Sequence, residues 1–106
     1  MPLFNVSNQT PNCDFLVKVT YGATGTCTRV GEEKRVIKAA SDYDFIIPVG
    51  NEVYQVTARD SNNPSAAVAM VTCCVGGPTS DTIPNGNCTN GTLDFNCNSP
   101  RAAEIN

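Results

Sequence analysis

The stretch Asp14-Phe15-Leu16-Val17-Lys18-Val19-Thr20-Tyr21 decides the fold class. Phe15, Val17, Val19 and Tyr21 take every second position, while Asp14, Lys18 and Thr20 take the others, with Leu16 the one apolar exception. Successive side chains of a strand point to opposite faces, so this alternation marks a half-buried antiparallel strand. Composition extends the reading to all 106 residues: Val, Ile and Thr number 11, 5 and 11, against three Leu. β-Branched side chains lose rotamer freedom on a helix and fit a pleated surface, so the chain is expected to be all-β.

Upstream, Phe4-Asn5-Val6-Ser7 predicts a short first strand, closed by the turn formers Asn8-Gln9-Thr10-Pro11-Asn12. Downstream, Gly22-Ala23-Thr24-Gly25 predicts a turn, residues 26–30 a return, and Gly31-Glu32-Glu33-Lys34 a charged turn. Arg35-Val36-Ile37-Lys38 resumes as strand, and residues 44–49 form another, whose Pro48 marks an edge or a strand end. After the turn at Gly50-Asn51, residues 53–58 alternate, with Tyr54, Val56 and Ala58 on the buried face. Asp60-Ser61-Asn62-Asn63-Pro64-Ser65 is a loop.

Residues 66–75 are apolar on both faces, interrupted by Thr72, which predicts a central strand covered on each side in preference to an Ala-rich helix. Residues 76–86 read as one long loop and Thr89-Asn90-Gly91-Thr92 as a hairpin turn. Leu93, Phe95 and Cys97 then share an inward face, and residues 101–106 end the chain as a short strand or an arm. The sum is about seven or eight strands in one domain spanning 1–106, the pattern of a small antiparallel β-sandwich of immunoglobulin-like size. The hallmark core Trp of a true immunoglobulin domain is absent.

Six cysteines, Cys13, Cys27, Cys73, Cys74, Cys88 and Cys97, are an even and high count for this length. They read as disulfide candidates with the connectivity open, buried thiols being the alternative. Zinc is disfavoured, because no C-x2-C pair and no histidine are present. Adjacent Cys73 and Cys74 would point to opposite faces of a strand and take different partners. Disulfides imply an oxidising final environment, so the expected location is extracellular or a virion surface. The N-terminus lacks the basic and apolar regions of a signal peptide. Either a leader was removed and Met1 is artificial, or Met1 is the true start and the protein leaves its cell by another route.

A formal charge of −3 with 17 charged residues provides no basic stripe, which argues against nucleic acid. No apolar run approaches the ~20 residues needed to span a bilayer, so no membrane insertion is expected. Without histidine, Ser–His and Cys–His nucleophile pairs cannot form, and no enzyme is expected. Asp42 and Asp44 would share a strand face, but a solvated pair beside a turn explains them better than carboxylate catalysis. Asp42, Asp44, Asp60, Asn62 and Asn63 supply the oxygen chemistry a calcium ion uses, yet an Asx-turn explains Asp60-Ser61-Asn62 equally well. No cofactor or metal is implied.

Tyr43, between two aspartates, reads as an exposed aromatic, and with Asp60, Asn62 and Asn63 it forms the candidate ligand-contact set. Sequons begin at Asn5, Asn8, Asn87 and Asn90, and they count as glycan sites only in a eukaryotic secretory pathway. The short terminal segments, through Phe4 and Val6 and through Ala103 and Ile105, are candidates for strand addition to a neighbour's sheet. Low charge, stapling cysteines and missing catalytic residues suit a non-enzymatic structural protein outside a particle or cell, such as a virion capsid-decoration or surface-fibre subunit. Its partners would be protein neighbours in a homo-oligomer or lattice. The alternative is a secreted adhesin or carbohydrate-binding module that takes glycan at loops 60–65 and 76–86.

Overall fold

Where the sequence alternates, the chain runs as strand. A computed structural model describes residues 2–73, 77–84, 91–97 and 101–106. Among them are β1 (Leu3–Asn8), β2 (Phe15–Ala23), β3 (Gly31–Ile37), β4 (Ser41–Ile46), β5 (Asn51–Asp60), β6 (Ala69–Thr72), β7 (Ser80–Thr82), β8 (Thr92–Asn96) and β9 (Ala102–Ile105), and no helix. The protein is all-β, with nine strands among the described residues where seven or eight were expected. They form a five-stranded sheet in the order β4-β1-β9-β8-β7 and a four-stranded sheet in the order β3-β2-β5-β6. Every neighbouring pair is antiparallel except β1 and β9, which run parallel.

One hydrophobic core draws on both sheets. Phe4, Val6, Phe45, Leu93, Phe95, Ala103 and Ile105 come from the first, and Phe15, Val17, Val19, Ile37, Val53, Val56, Ala58, Ala69 and Val71 from the second. The phase expected for β8 holds, and that of β2 holds up to Val19, with Phe15, Val17, Val19, Leu93 and Phe95 all fully buried. Thr20, expected outside, is buried, and Tyr21 is only partly buried, because the register shifts between them. Phe4 meets Phe95 edge to face at 5.3 Å, the offset geometry that aromatic quadrupoles favour. The Cys73–Cys97 disulfide, with Cα atoms 5.5 Å apart, ties the end of β6 to the end of β8 and so joins the two sheets. Cys13 and Cys27 are also disulfide-bonded. The expectations for Cys74 and Cys88, and for the hairpin turn at 89–92 apart from its last two residues, lie outside the described residues.

Asn8 is a buried polar hub. Its Nδ2 donates to the carbonyls of Cys13 (2.7 Å) and Ile37 (3.1 Å), and its Oδ1 accepts from the Thr10 amide and hydroxyl. Both ends of the amide are satisfied, which is the condition for burying it at 1 % exposure. Gly22 is required by close approach: a Cβ there would overlap the Thr28 carbonyl oxygen, where residues 27–30 fold back over β2.

Five expectations need correction. The terminal segments are not edges offered to a neighbour: β1 lies between β4 and β9, and β9 between β1 and β8. Phe4, Val6, Ala103 and Ile105 point into the core, and the two segments satisfy each other's backbone in register, Val6 opposite Ala103. Gly31-Glu32-Glu33-Lys34 is strand, because β3 is an edge whose exposed side tolerates charge. Val53 takes the buried place expected for Tyr54, because a register shift opposite Thr20/Tyr21 adds a residue and inverts the alternation.

Among the described residues of the apolar run at 66–75, four form β6, and β6 is an edge strand, not a central one. Ala69 and Val71 enter the core, but Val68 and Met70 face outward and are 43 % and 48 % exposed. Finally, the long loop at 76–86 contains β7, which pairs with β8.

Candidate docking faces

The sheet registers place the polar side chains on two outer faces. On the four-stranded sheet, Val36, Leu16 and Arg59 are cross-strand neighbours, and Lys34, Lys18, Thr57 and Met70 form the next row. Leu16, Lys18, Lys34, Thr57, Arg59, Val68 and Met70 line a shallow cavity of about 230 Å³. On the five-stranded sheet, the outward rows carry Asn5 beside Asp44, Ser7 beside Asp42 and Glu104, and Asp94 beside Glu104. A second concavity of about 290 Å³ lies there, lined by Asn5, Ser7, Asp94, Asn96 and Glu104. Leu3 and Ile46, both exposed, pair at one end of this face.

The charges segregate between the faces. Of the seven cations, Arg29 pairs with Glu32, Lys38 with Asp14 and Arg101 with Glu52. Arg35 stacks over Tyr43, its guanidinium carbon 4.2 Å from the ring centroid, and donates to the Tyr43 hydroxyl at 2.7 Å. The remaining three, Lys18, Lys34 and Arg59, all lie on the four-stranded face, and their side chains make no ion pair or hydrogen bond among the described residues.

The ten carboxylates divide in the same way. Asp14, Glu32 and Glu52 meet those cations, Glu33 accepts from the Tyr43 hydroxyl, Asp60 is buried, and Asp81 bonds a backbone amide. Asp42, Asp44, Asp94 and Glu104 are left, all on the five-stranded face and none with a cation partner among the described residues. The Asn5 amide bridges Asp42 and Asp44 at 2.8 and 3.0 Å, and the Asn106 amide donates to Asp94 at 3.2 Å.

Polar contacts also close the two open sides of the body. At one, Arg35 and Glu33 of β3 reach Tyr43 of β4. At the other, Asp81 of β7 accepts the Met70 amide of β6 at 2.7 Å, which caps a backbone donor on the free edge. Asp14 accepts from the Ala39 amide at 2.9 Å. That bond holds its carboxyl below its ordinary value against the opposing effect of desolvation, and Lys38 adds to the lowering.

The residues expected to contact a ligand are not brought together by any described contact. Tyr43 is half-buried rather than exposed, packed on the core and edge to face with Phe45 at 5.0 Å. Asp60 is buried at the end of β5, where its Oδ1 accepts the Asn62 amide at 2.9 Å, an Asx-turn. Asn63 repeats the device by accepting the Ser65 amide. No group of three or more Cys, Asp or Glu able to hold a metal occurs among the described residues.

Of the sequon residues described, Asn8 is buried with its amide nitrogen committed, and Asn5 spends both amide protons on aspartates. The segregated faces were missed from sequence, because they depend on which strands lie side by side. Comparison with protein-family models, with curated proteins and with solved structures finds no match.

Proposed function

We propose that the two sheets stack as a β-sandwich and that the chain is a non-enzymatic structural subunit on the exterior of a particle or cell, in the manner of a capsid-decoration or surface-fibre component. One observation carries this reading: an apolar edge strand whose outer side nothing in the described chain covers. Val68, Met70 and Val36 stand exposed around Lys18, Lys34 and Arg59. Apolar side chains gathered on one face gain free energy when a neighbour removes them from water, about 25 cal/mol per Å² buried. The inter-sheet disulfide supports a final environment that is oxidising. The interlocked terminal strands support a durable unit, because each is held on both flanks.

Native mass spectrometry of the unreduced protein, isolated from its source, tests the reading. A homo-oligomer, or a subunit bound to a regular particle, supports it. A monomer that retains a bound sugar overturns it in favour of a secreted carbohydrate-binding module.

A further inference from the structure

Both outer faces carry a like-charge pair directly across neighbouring strands. Lys18 lies opposite Lys34 on the four-stranded sheet, and Asp94 lies opposite Glu104 on the five-stranded sheet. Like charges in this position repel at a Cβ separation of about 5 Å and cost stability. Neither pair is relieved by an opposite charge among the described residues, whereas the cations and most of the carboxylates elsewhere are engaged. Each face therefore holds what the other lacks. One presents Lys18, Lys34 and Arg59 with Met70, and the other presents Asp42, Asp44, Asp94 and Glu104 with the exposed Leu3–Ile46 pair.

From this complementarity we propose that the partner of the cationic face is a second copy of this chain, docked through its acidic face. The inference rests on the assembly reading above and names its contact. Because the two patches are different surfaces of the same subunit, the contact is heterologous. The pair keeps one free face of each kind, so association propagates head to tail instead of stopping at a dimer.

Size limits the strength of a single contact. The principal extents are 36, 26 and 23 Å, so the largest side reaches the ~800 Å² per partner of a standard interface only if nearly all of it is used. A pair of copies in solution is therefore weakly bound. Copies held on a particle or along a fibre gain from repetition and effective concentration. Net charges of like sign oppose approach at long range, but at ordinary salt that field is screened beyond about 8 Å, while the contacting pairs are not.

Sedimentation velocity of the intact, unreduced chain tests the proposal from micromolar to millimolar concentration, at low and high salt. The expected result is reversible association that weakens by about tenfold or more as salt rises. Lys18→Glu with Lys34→Glu makes both faces acidic, and Asp94→Lys with Glu104→Lys makes both faces basic or neutral. Each double variant alone should stay monomeric, and an equimolar mixture should associate. Met70→Ser, which changes no charge, should weaken wild-type association several-fold.

Association of the double variants equal to that of wild type overturns the docking faces and leaves the assembly reading standing. A monomeric wild type that is retained by a sulfated polysaccharide through Lys18 and Lys34 overturns both. A wild type that stays monomeric and binds no polysaccharide overturns self-docking alone, and the native mass measurement then judges the reading beneath it.

Discussion

Replacing Lys18 by Glu should stabilise the folded monomer, which is the reverse of what most substitutions do. Lys18 sits in the middle of the cationic face, with Lys34 directly across on β3 and Arg59 on the adjoining row of β5. Two unit charges whose flexible ends settle about 7 Å apart in water repel by about 0.6 kcal/mol. Lys18→Gln removes that repulsion. Lys18→Glu replaces it with an attraction of similar size, a swing of about 1.2 kcal/mol before screening.

With a Debye length of ~30 Å at very low salt and ~8 Å at physiological salt, the gain falls from about 1 to about 0.5 kcal/mol, and it vanishes near molar salt. The assay is urea unfolding at dilute protein concentration, with disulfides intact, across that salt range. A gain of about 1 kcal/mol moves the midpoint by roughly 0.3–1 M. Destabilisation by Lys18→Glu at low salt, or a gain that does not shrink as salt rises, would refute the reasoning. The Lys18–Lys34 pair would then not be a strained feature, and the case for an external partner would lose its energetic basis.

Four further outcomes follow from the core and its polar hubs. Phe95→Ala, at a fully buried position in edge contact with Phe4, should cost about 3–5 kcal/mol in chemical denaturation; a loss under about half a kcal/mol would contradict the burial of β8. Asn8→Ala removes the bonds to the Cys13 and Ile37 carbonyls and to the Thr10 amide, while the Thr10 hydroxyl keeps the Cys13 carbonyl as acceptor, and should cost about 2–3 kcal/mol by the same assay. Asp14 is held below its ordinary pKa, so its contribution is complete above that ordinary value and is lost as pH falls through the folded value. Stability of Asp14→Asn should therefore fall less than wild type on acidification, and parallel pH curves would argue against the Ala39 bond. Opening Cys73–Cys97 by paired alanine substitution should lower the melting temperature, with a loss of about 2–4 kcal/mol from loop-closure entropy.

The sequence made β2 and β8 legible because each has one face in the core and one in water, so burial is written as alternation. The edges were harder. β3 carries Glu32, Glu33, Lys34 and Arg35 in a row, which reads as a turn until its one-sided pairing with β2 is known. Tyr54 was misplaced because a bulge inverts phase without any Gly or Pro at that point to announce it. Asn8 looked like a turn former, and only the fold brings the Cys13 and Ile37 carbonyls to its amide. Lys18 and Lys34 stand 16 positions apart, as 34 − 18, and Asp94 and Glu104 stand 10 apart, as 104 − 94. Strand register alone makes them opposed pairs, and register is set by how apolar faces meet, not by the charged residues themselves.

Residues 66–75 depart furthest from the pattern their sequence predicts. A run apolar on both faces is expected to have cover on both faces, since exposed Val and Met gain from leaving water. Among the described residues the chain covers one face of β6 and leaves the other exposed. β6 ends its sheet, the Asp81 carboxylate caps its Met70 amide, and Val68 and Met70 still face outward beside three cations without a partner among the described residues. Capping the backbone of β6 while leaving its outer side chains bare blunts edge-to-edge pairing but does nothing to discourage contact across the face. Under the docking proposal these two facts belong together: the edge is closed so that copies cannot join sheet to sheet, and the face is left apolar so that they join face to face. Asp81→Ala separates them. It should leave the charge-swap behaviour of the faces intact while adding a salt-insensitive association through the freed β6 edge, read as aggregates that persist at high salt. If Asp81→Ala instead abolishes the salt-sensitive association, the edge and the face are one surface, and the division argued here is wrong.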